Sequence, residues 1–339
     1  MPIIQNISKF LQTLQIPFTT VSNISYQKKF IKKNISPLLE DAEKLNDRSF
    51  DENDRKKITG YYGLAVPAVL GEAFCVLHGE EMTKKERLAG TCQGAMTGLG
   101  DDFFDRQRLS EQGVKEFIET PEHFTGNTAS EKLFLHFYKT ALANAPATKP
   151  MQEQLYNVFY AQLLSKQQDE PGLSFEVIKD ITIRKGAESL LYYRTAFQHP
   201  LRNGEEKMLY CLGGLMQFSN DIFDVYKDYK NGVSTLVTTT IKIKDLRLQY
   251  SALLKLGYEA AFKSGYSKSN IRKFLGLLNI GIFSRCYVCL DQLQKNEKKS
   301  GGIFKLNEYS RKDLICDMDT IGNKLKSVGY HFKLSRRFK

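Results

Sequence analysis

The chain has 339 residues, 42% of them hydrophobic and 26% charged. That composition is ordinary for a globular protein and excludes a disordered, collagen-like or disulfide-stapled chain. Lys and Arg number 49 against 38 acids, a net charge of +11, which suits an anionic partner: nucleic acid, a membrane surface or a phosphorylated small molecule.

Residues 1–34 are predicted to be a peripheral segment. Their uncharged stretch is rich in Gln, Thr, Ser and Asn and contains Pro17, so a spanning helix is not expected; without a basic start followed by an apolar block, an export signal is not expected either. Residues 35–339 are predicted to form one all-α domain, a bundle of about ten helices. The uncharged run 58–71 is too short to span a bilayer and suits a buried core helix. The stretch 88–99 is uncharged and rich in small residues, as in a buried helix, and leads into Asp101-Asp102-Phe103-Phe104-Asp105. On a helix Asp101 and Asp105 share a face with Asp102 beside them, at a cost in repulsion that a cation or ligand would offset. An N-terminal cap with an acidic first turn is the alternative.

Apolar residues at three- and four-residue spacing predict helices over 131–143, 151–167, 205–230, 246–263 and 270–294. Pro and Gly punctuate the chain at 126–127, 146–150, 171–172, 200–204 and 301–302. Within 205–230, Asn220, Asp224 and Asp228 fall at i, i+4 and i+8. Three stacked oxygen side chains suit a hard cation such as Mg²⁺. The alternative is an ordinary acidic face balanced by Lys227 and Lys230. The segment 233–243 is the best strand candidate. The six cysteines are scattered in apolar surroundings and are expected to be reduced core thiols of a cytosolic protein. The tail 333–339 is expected to be peripheral.

Two carboxylate stripes on facing helices can share metal ions and together hold an anion. With both motifs in view, the chain resembles the class I terpene synthase / isoprenoid synthase superfamily. Asp101 to Asp105 matches its DDxxD motif, and Asn220 to Asp228 is similar to the NDxxSxxxE motif of bacterial terpene cyclases, with Lys227 at the usual lysine. Asp224 stands where Ser or Thr is usual, and Asp228 where Glu is usual; both keep an oxygen ligand. The resemblance implies an all-helical synthase in which three Mg²⁺ ions, held by Asp101, Asp102, Asp105, Asn220, Asp224 and Asp228, bind a prenyl diphosphate. Ionisation would leave an allylic cation for cyclisation to a terpene hydrocarbon or alcohol. It also implies basic residues and a helix break between the motifs, where Arg184, Lys185 and Gly186 stand; Ser189 closes a run, 185–189, similar to one in cyclases of long prenyl diphosphates. An Arg-Tyr pair that closes late over the diphosphate is missing, and Tyr309 and Arg311 are its nearest substitutes, after a Lys/Gly-rich loop at 295–302 that would serve as a lid. Phe103, Phe104, Tyr192, Tyr193 and Phe218 are candidates to face the cation.

Within the same fold the alternative is a chain-elongating or coupling prenyltransferase; a single DDxxD followed by an asparagine-led motif favours cyclisation. The second motif is also similar to that of intramembrane aromatic prenyltransferases, but spanning helices are not expected. A non-catalytic helical protein that binds nucleic acid or anionic membrane through its charge is the alternative of another class; no nucleic-acid motif supports it. The resemblance implies a cytoplasmic enzyme without a nucleic-acid partner and allows a homodimer.

Overall fold

The structure is a computed structural model that describes the backbone of residues 2–45, 47–107 and 110–337, and side chains within 15–45, 47–100 and 110–336. Among the described residues it is all helical, without a strand. Fourteen helices run in order: α1 Pro2–Asn34, α2 Ser36–Lys44, α3 Glu52–His78, α4 Lys84–Gln107, α5 Glu111–Glu119, α6 Ala129–Asn144, α7 Thr148–Ser165, α8 Phe175–Arg194, α9 Glu205–Phe223, α10 Val225–Lys230, α11 Ile243–Lys263, α12 Lys268–Lys299, α13 Arg311–Leu314 and α14 Ile321–Arg337. The count exceeds ten because Pro2–Asn34 is itself helical, because the predicted helix over 205–230 is divided in two, and because the four-residue α13 is too short to show a period.

Local chemistry sets many of the ends. Asp51 and Asp54 form a reciprocal capping box at the start of α3, and Thr128 and Glu131 form another at α6. Ser110 and Ser267 cap α5 and α12. Helix α3 stops at Gly79, whose φ of 84° only glycine adopts without cost. Helices α3 and α12 widen into π turns, at Lys57–Tyr61 and Val66–Gly71 in the first and Asn279–Phe283 in the second. These two helices are long and apolar enough to cross a membrane by length and composition. Much of each apolar window is buried inside the fold, 61% and 72%, as expected of core helices.

The chain divides into two compact units. One comprises Pro17–Asn157 and Tyr192–Pro200. Here α4 packs along α3 and α6, and α2 packs on α6. Gln27, fully buried on α1, donates to the Gly63 carbonyl at 3.1 Å and to Thr91 at 2.9 Å, and accepts from Arg87 at 3.0 Å. Phe117 stacks on Tyr138 with ring centres 5.6 Å apart and meets Phe134 and Phe124.

The other unit comprises the chain up to Ile16, Val158–Leu191 and the residues from Leu201 onward. Its core joins α9, α11, α12 and α14. Phe218 meets Tyr250 edge-on at 5.5 Å, Tyr250 meets Tyr287 at 5.4 Å, and Tyr287 stacks on Tyr330 at 5.2 Å. The buried Tyr250 hydroxyl pairs with Ser219 at 2.9 Å, so its polar end is satisfied.

The predicted strand at 233–243 is absent. Its β-branched residues form a turn instead, because the Thr235 and Thr238 hydroxyls bond the local backbone in place of a partner strand.

Candidate functional site

The acidic end of α9 lies in the second unit described above. Helix α9 buries Leu212, Gly213, Gly214, Leu215, Phe218, Ser219 and Ile222. The predicted single helix over 205–230 is divided at Asp224, where ψ opens to 7°. Asp224 belongs to neither helix, and one bond is made on each side of it: Asp224 N–H donates to the Asn220 carbonyl at 2.8 Å, and Asp228 N–H to the Asp224 carbonyl at 2.9 Å. The predicted i, i+4, i+8 row is thus shared out: Asn220 on the last turn of α9, Asp224 at the bend and Asp228 on α10. Asn220 donates through Nδ2 to Asp224 Oδ2 at 3.4 Å.

These carboxylates are short of water. Burial raises the Asp224 pKa, with Lys227 and Asn220 pulling the other way. Asp228 is pushed up to about 7 by burial and then by the charges of Asp221 and Asp224, against Lys227 and Lys185. The most enclosed acid is Asp221, 5% exposed. It accepts from Gln217 Nε2 at 2.9 Å and from Thr182 Oγ1 at 3.3 Å. Burial raises its pKa to about 6, partly opposed by Gln217, the charge of Lys185 and Thr182.

Lys185 and Thr182 reach this cluster from α8, and two glycines set the approach. A Cβ on Gly186 would lie 2.1 Å from the Gly213 carbonyl oxygen, and one on Gly213 would lie 2.5 Å from the Gly186 oxygen. Backbone therefore meets backbone where α8 crosses α9. The helix break expected at Gly186 is absent: α8 continues through it. The glycine serves contact and leaves the helix whole. In an unbroken helix adjacent residues point about 100° apart, and the two basic residues separate accordingly. Lys185 acts on Asp221 and Asp228, whereas the Arg184 guanidinium lies 5.9 Å from the centre of the Tyr160 ring. Ser189 turns back on its own helix and donates to the Lys185 carbonyl at 2.8 Å.

The remaining candidates fall elsewhere. Phe218 is a core side chain, 2% exposed. Tyr192 and Tyr193 are buried; the Tyr193 hydroxyl pairs with Thr97 at 2.8 Å. The predicted loop 295–302 begins as helix, since α12 runs to Lys299. Beyond it the chain is tied down: Gly302 N–H donates to the Glu297 carbonyl at 2.8 Å and Phe304 N–H to the Ile241 carbonyl at 2.9 Å. The Tyr309 hydroxyl accepts from Ser300 at 2.7 Å and its ring lies on Phe304. Arg311 is exposed at the first position of α13, which packs against both α10 and α12. Asp101, Asp102, Phe103, Phe104 and Asp105 lie on the last turns of α4, and their side chains lie outside the described residues.

Asp221, Gln217 and Thr182 were not singled out by spacing. Asp221 is one step off the acidic stripe, and Gln217 lies one turn before it. The available signal was the glycine pair Gly213-Gly214 facing Gly186, which betrays close helix contact. Among the described residues no three His, Cys, Asp or Glu side chains are arranged to hold a metal ion. The donor set at the end of α9 nevertheless fits a hard cation: one amide and two carboxylates, all oxygen, with acidic neighbours whose repulsion a cation would relieve.

No family model matches the sequence, and the search of curated proteins found no match. The chain is similar to a crystal structure of a dehydrosqualene synthase in complex with ligand, at 13% identity, covering 94% of this chain and 98% of that one, with a TM-score of 0.48.

Proposed function

We propose that the protein is a Mg²⁺-dependent enzyme that ionises a prenyl diphosphate, and a terpene cyclase in particular. The observation that carries this reading is the desolvated row Asn220, Asp224 and Asp228, with Lys185 brought beside it by the Gly186–Gly213 contact. A surface acidic patch would need neither the burial nor a lysine delivered from another helix. The all-helical fold and the sequence motifs agree with the reading.

In this proposal Asn220, Asp224 and Asp228 hold Mg²⁺; Asp101 and Asp105, with Asp102 beside them, join the ligand set on the evidence of the sequence. Bound Mg²⁺ supplies Lewis acidity that neutralises charge building on the leaving diphosphate. Lys185 and Lys227 add positive charge at the same end of α9, where the ammonium groups donate to phosphate oxygens. Gln217 and Thr182 hold Asp221 in a fixed position behind the row. Arg184, occupied with Tyr160, contributes less than Lys185.

The test is incubation with prenyl diphosphates of several chain lengths, with and without Mg²⁺, followed by assay of released diphosphate and analysis of the organic products. Mg²⁺-dependent release of diphosphate with a cyclic hydrocarbon or alcohol is the expected result. A lengthened or coupled prenyl product would replace the cyclase by a prenyltransferase. Absence of Mg²⁺-dependent release from every substrate would overturn the proposal.

A further inference from the structure

A cleft of about 260 Å³ opens where the last turns of α12 face α13 and α14. Its walls carry four lysines, Lys295, Lys299, Lys312 and Lys326, and two acids, Asp291 and Asp313. The hydrogen bonds of both acids go to other groups than the cleft's lysines, although Asp313 also feels the charge of Lys299. Asp291 accepts from Arg247 Nη2 at 2.6 Å and from the Tyr330 hydroxyl at 2.9 and 2.8 Å. Asp313 accepts from the Ser310 N–H at 2.9 Å and from its hydroxyl at 2.6 Å, closing the capping box of α13. None of the four lysines forms an ion pair among the described residues.

The cleft is also held in shape. Gln292 Nε2 donates to the carbonyls of Lys312, Asp313 and Ile315, and Asn296 Nδ2 to that of Asp313 at 2.8 Å. Asn296 is itself 4% exposed. Lys312 is thus presented from a turn fixed to the helix that carries Lys295 and Lys299. Four lysines against two acids leave the concavity with a net positive charge, which favours an anion of more than one charge. Ligand pockets for drug-sized molecules begin at roughly 300 Å³, so this volume suits a compact phosphorylated group rather than a whole nucleotide.

We propose that this cleft binds a phosphorylated anion of two or more charges, either a free diphosphate-like ion or the headgroup of an anionic phospholipid. The cleft shares no lining residue with the acidic row, and the proposed binding needs no metal and does not depend on the activity proposed above.

Binding of inorganic diphosphate is measured by calorimetry in the presence of a chelator, and binding to vesicles containing phosphatidic acid by co-sedimentation. The wild type is compared with Lys299→Glu/Lys326→Glu and with a control, Lys273→Glu/Lys298→Glu, which reverses two exposed lysines outside the cleft. The expected result is saturable binding of at least one probe, weakened tenfold or more in the cleft variant and less than twofold in the control. Binding of free diphosphate assigns a soluble ligand, and binding of vesicles alone assigns a lipid headgroup. Absence of saturable binding to both probes, or equal weakening in the two variants, overturns the proposal. All four positions are exposed, and circular dichroism checks that each variant is folded. Because the chelator removes Mg²⁺, failure here leaves the proposed prenyl diphosphate activity untouched, and the reverse also holds.

Discussion

Substitution of Gly186 by alanine separates contact from flexibility as the reason for that glycine. The added Cβ would lie 2.1 Å from the Gly213 oxygen, 2.7 Å from the Gly213 carbonyl carbon and 2.7 Å from Gln217 Cβ. Two of these three neighbours are backbone, so no rotamer change relieves the overlap. Helices α8 and α9 must part by about 1 Å or more at their crossing to restore ordinary contact. Overpacking of this kind costs typically about 1–3 kcal/mol, and the backbone obstruction argues for the upper half of that range. The intrinsic helix gain of alanine over glycine returns roughly 1 kcal/mol. The net expectation is a loss of about 1–2 kcal/mol. Gly329→Ala is the reference, since that helical glycine has no atom within 4 Å of its added Cβ; it should gain up to about 1 kcal/mol from propensity alone. Urea unfolding of the two variants measures the contrast. Gly186→Ala should also lower Mg²⁺-dependent diphosphate release at temperatures where it is fully folded, because Lys185 and Thr182 move away from Asp221. If Gly186→Ala were as stable as Gly329→Ala, the close crossing of α8 and α9 would be wrong.

Lys185→Met should reduce Mg²⁺-dependent diphosphate release at least tenfold, whereas Arg184→Met should change it by less than threefold, as steady-state assays of the two variants will reveal; equal losses would contradict the separation of their side chains. Asp47 accepts from the Ser49 N–H and hydroxyl and from the Ala129 N–H, bonds that hold its pKa below the usual carboxylate value. A lowered folded pKa gives stability that is present above the unfolded value and lost as pH falls through the folded one. Asp47→Ala should therefore lower Tm at neutral pH, with a difference that narrows in acid; a gap independent of pH in thermal melts would show that the bonds do not depend on the charge. Cys75, Cys92, Cys286 and Cys289 are buried while Cys211 and Cys316 are half-buried, so a chromogenic disulfide reagent should modify at most two thiols rapidly in native protein and all six in denaturant.

Much of the fold was legible because helices announce themselves by period. The cores of α6, α7, α9, α11 and α12 lie within the predicted segments, and Gly and Pro marked the joints between several of them. The strand expected at 233–243 failed for a physical reason: β-branched residues favour a pleated surface only where a partner strand exists, and here threonine hydroxyls supplied local bonds first. Asp224 was legible as a member of the acidic row but not as a bend, since no Gly or Pro marks the place where the helix is interrupted. Gly186 was visible as an exception in its helix, and sequence could not tell a glycine that lets a chain turn from one that lets another helix come near. The partners of Asp221 were hidden because Thr182 lies 39 residues away along the chain and meets it only through that crossing.

The short helix α13 has a consequence for the order in which the chain becomes structured. Four residues are too few to repay the nucleation of a helix in isolation. Its carbonyls and those of the following turn are held by Gln292 and Asn296, side chains of a helix that must already be in place. The segment from Ser310 to Ile315 is therefore a late structure, templated on α12 rather than competing with it. Hydrogen exchange in α13 would then report openings of the α12 surface, since the capping box alone is too little to hold a single turn once its template lets go.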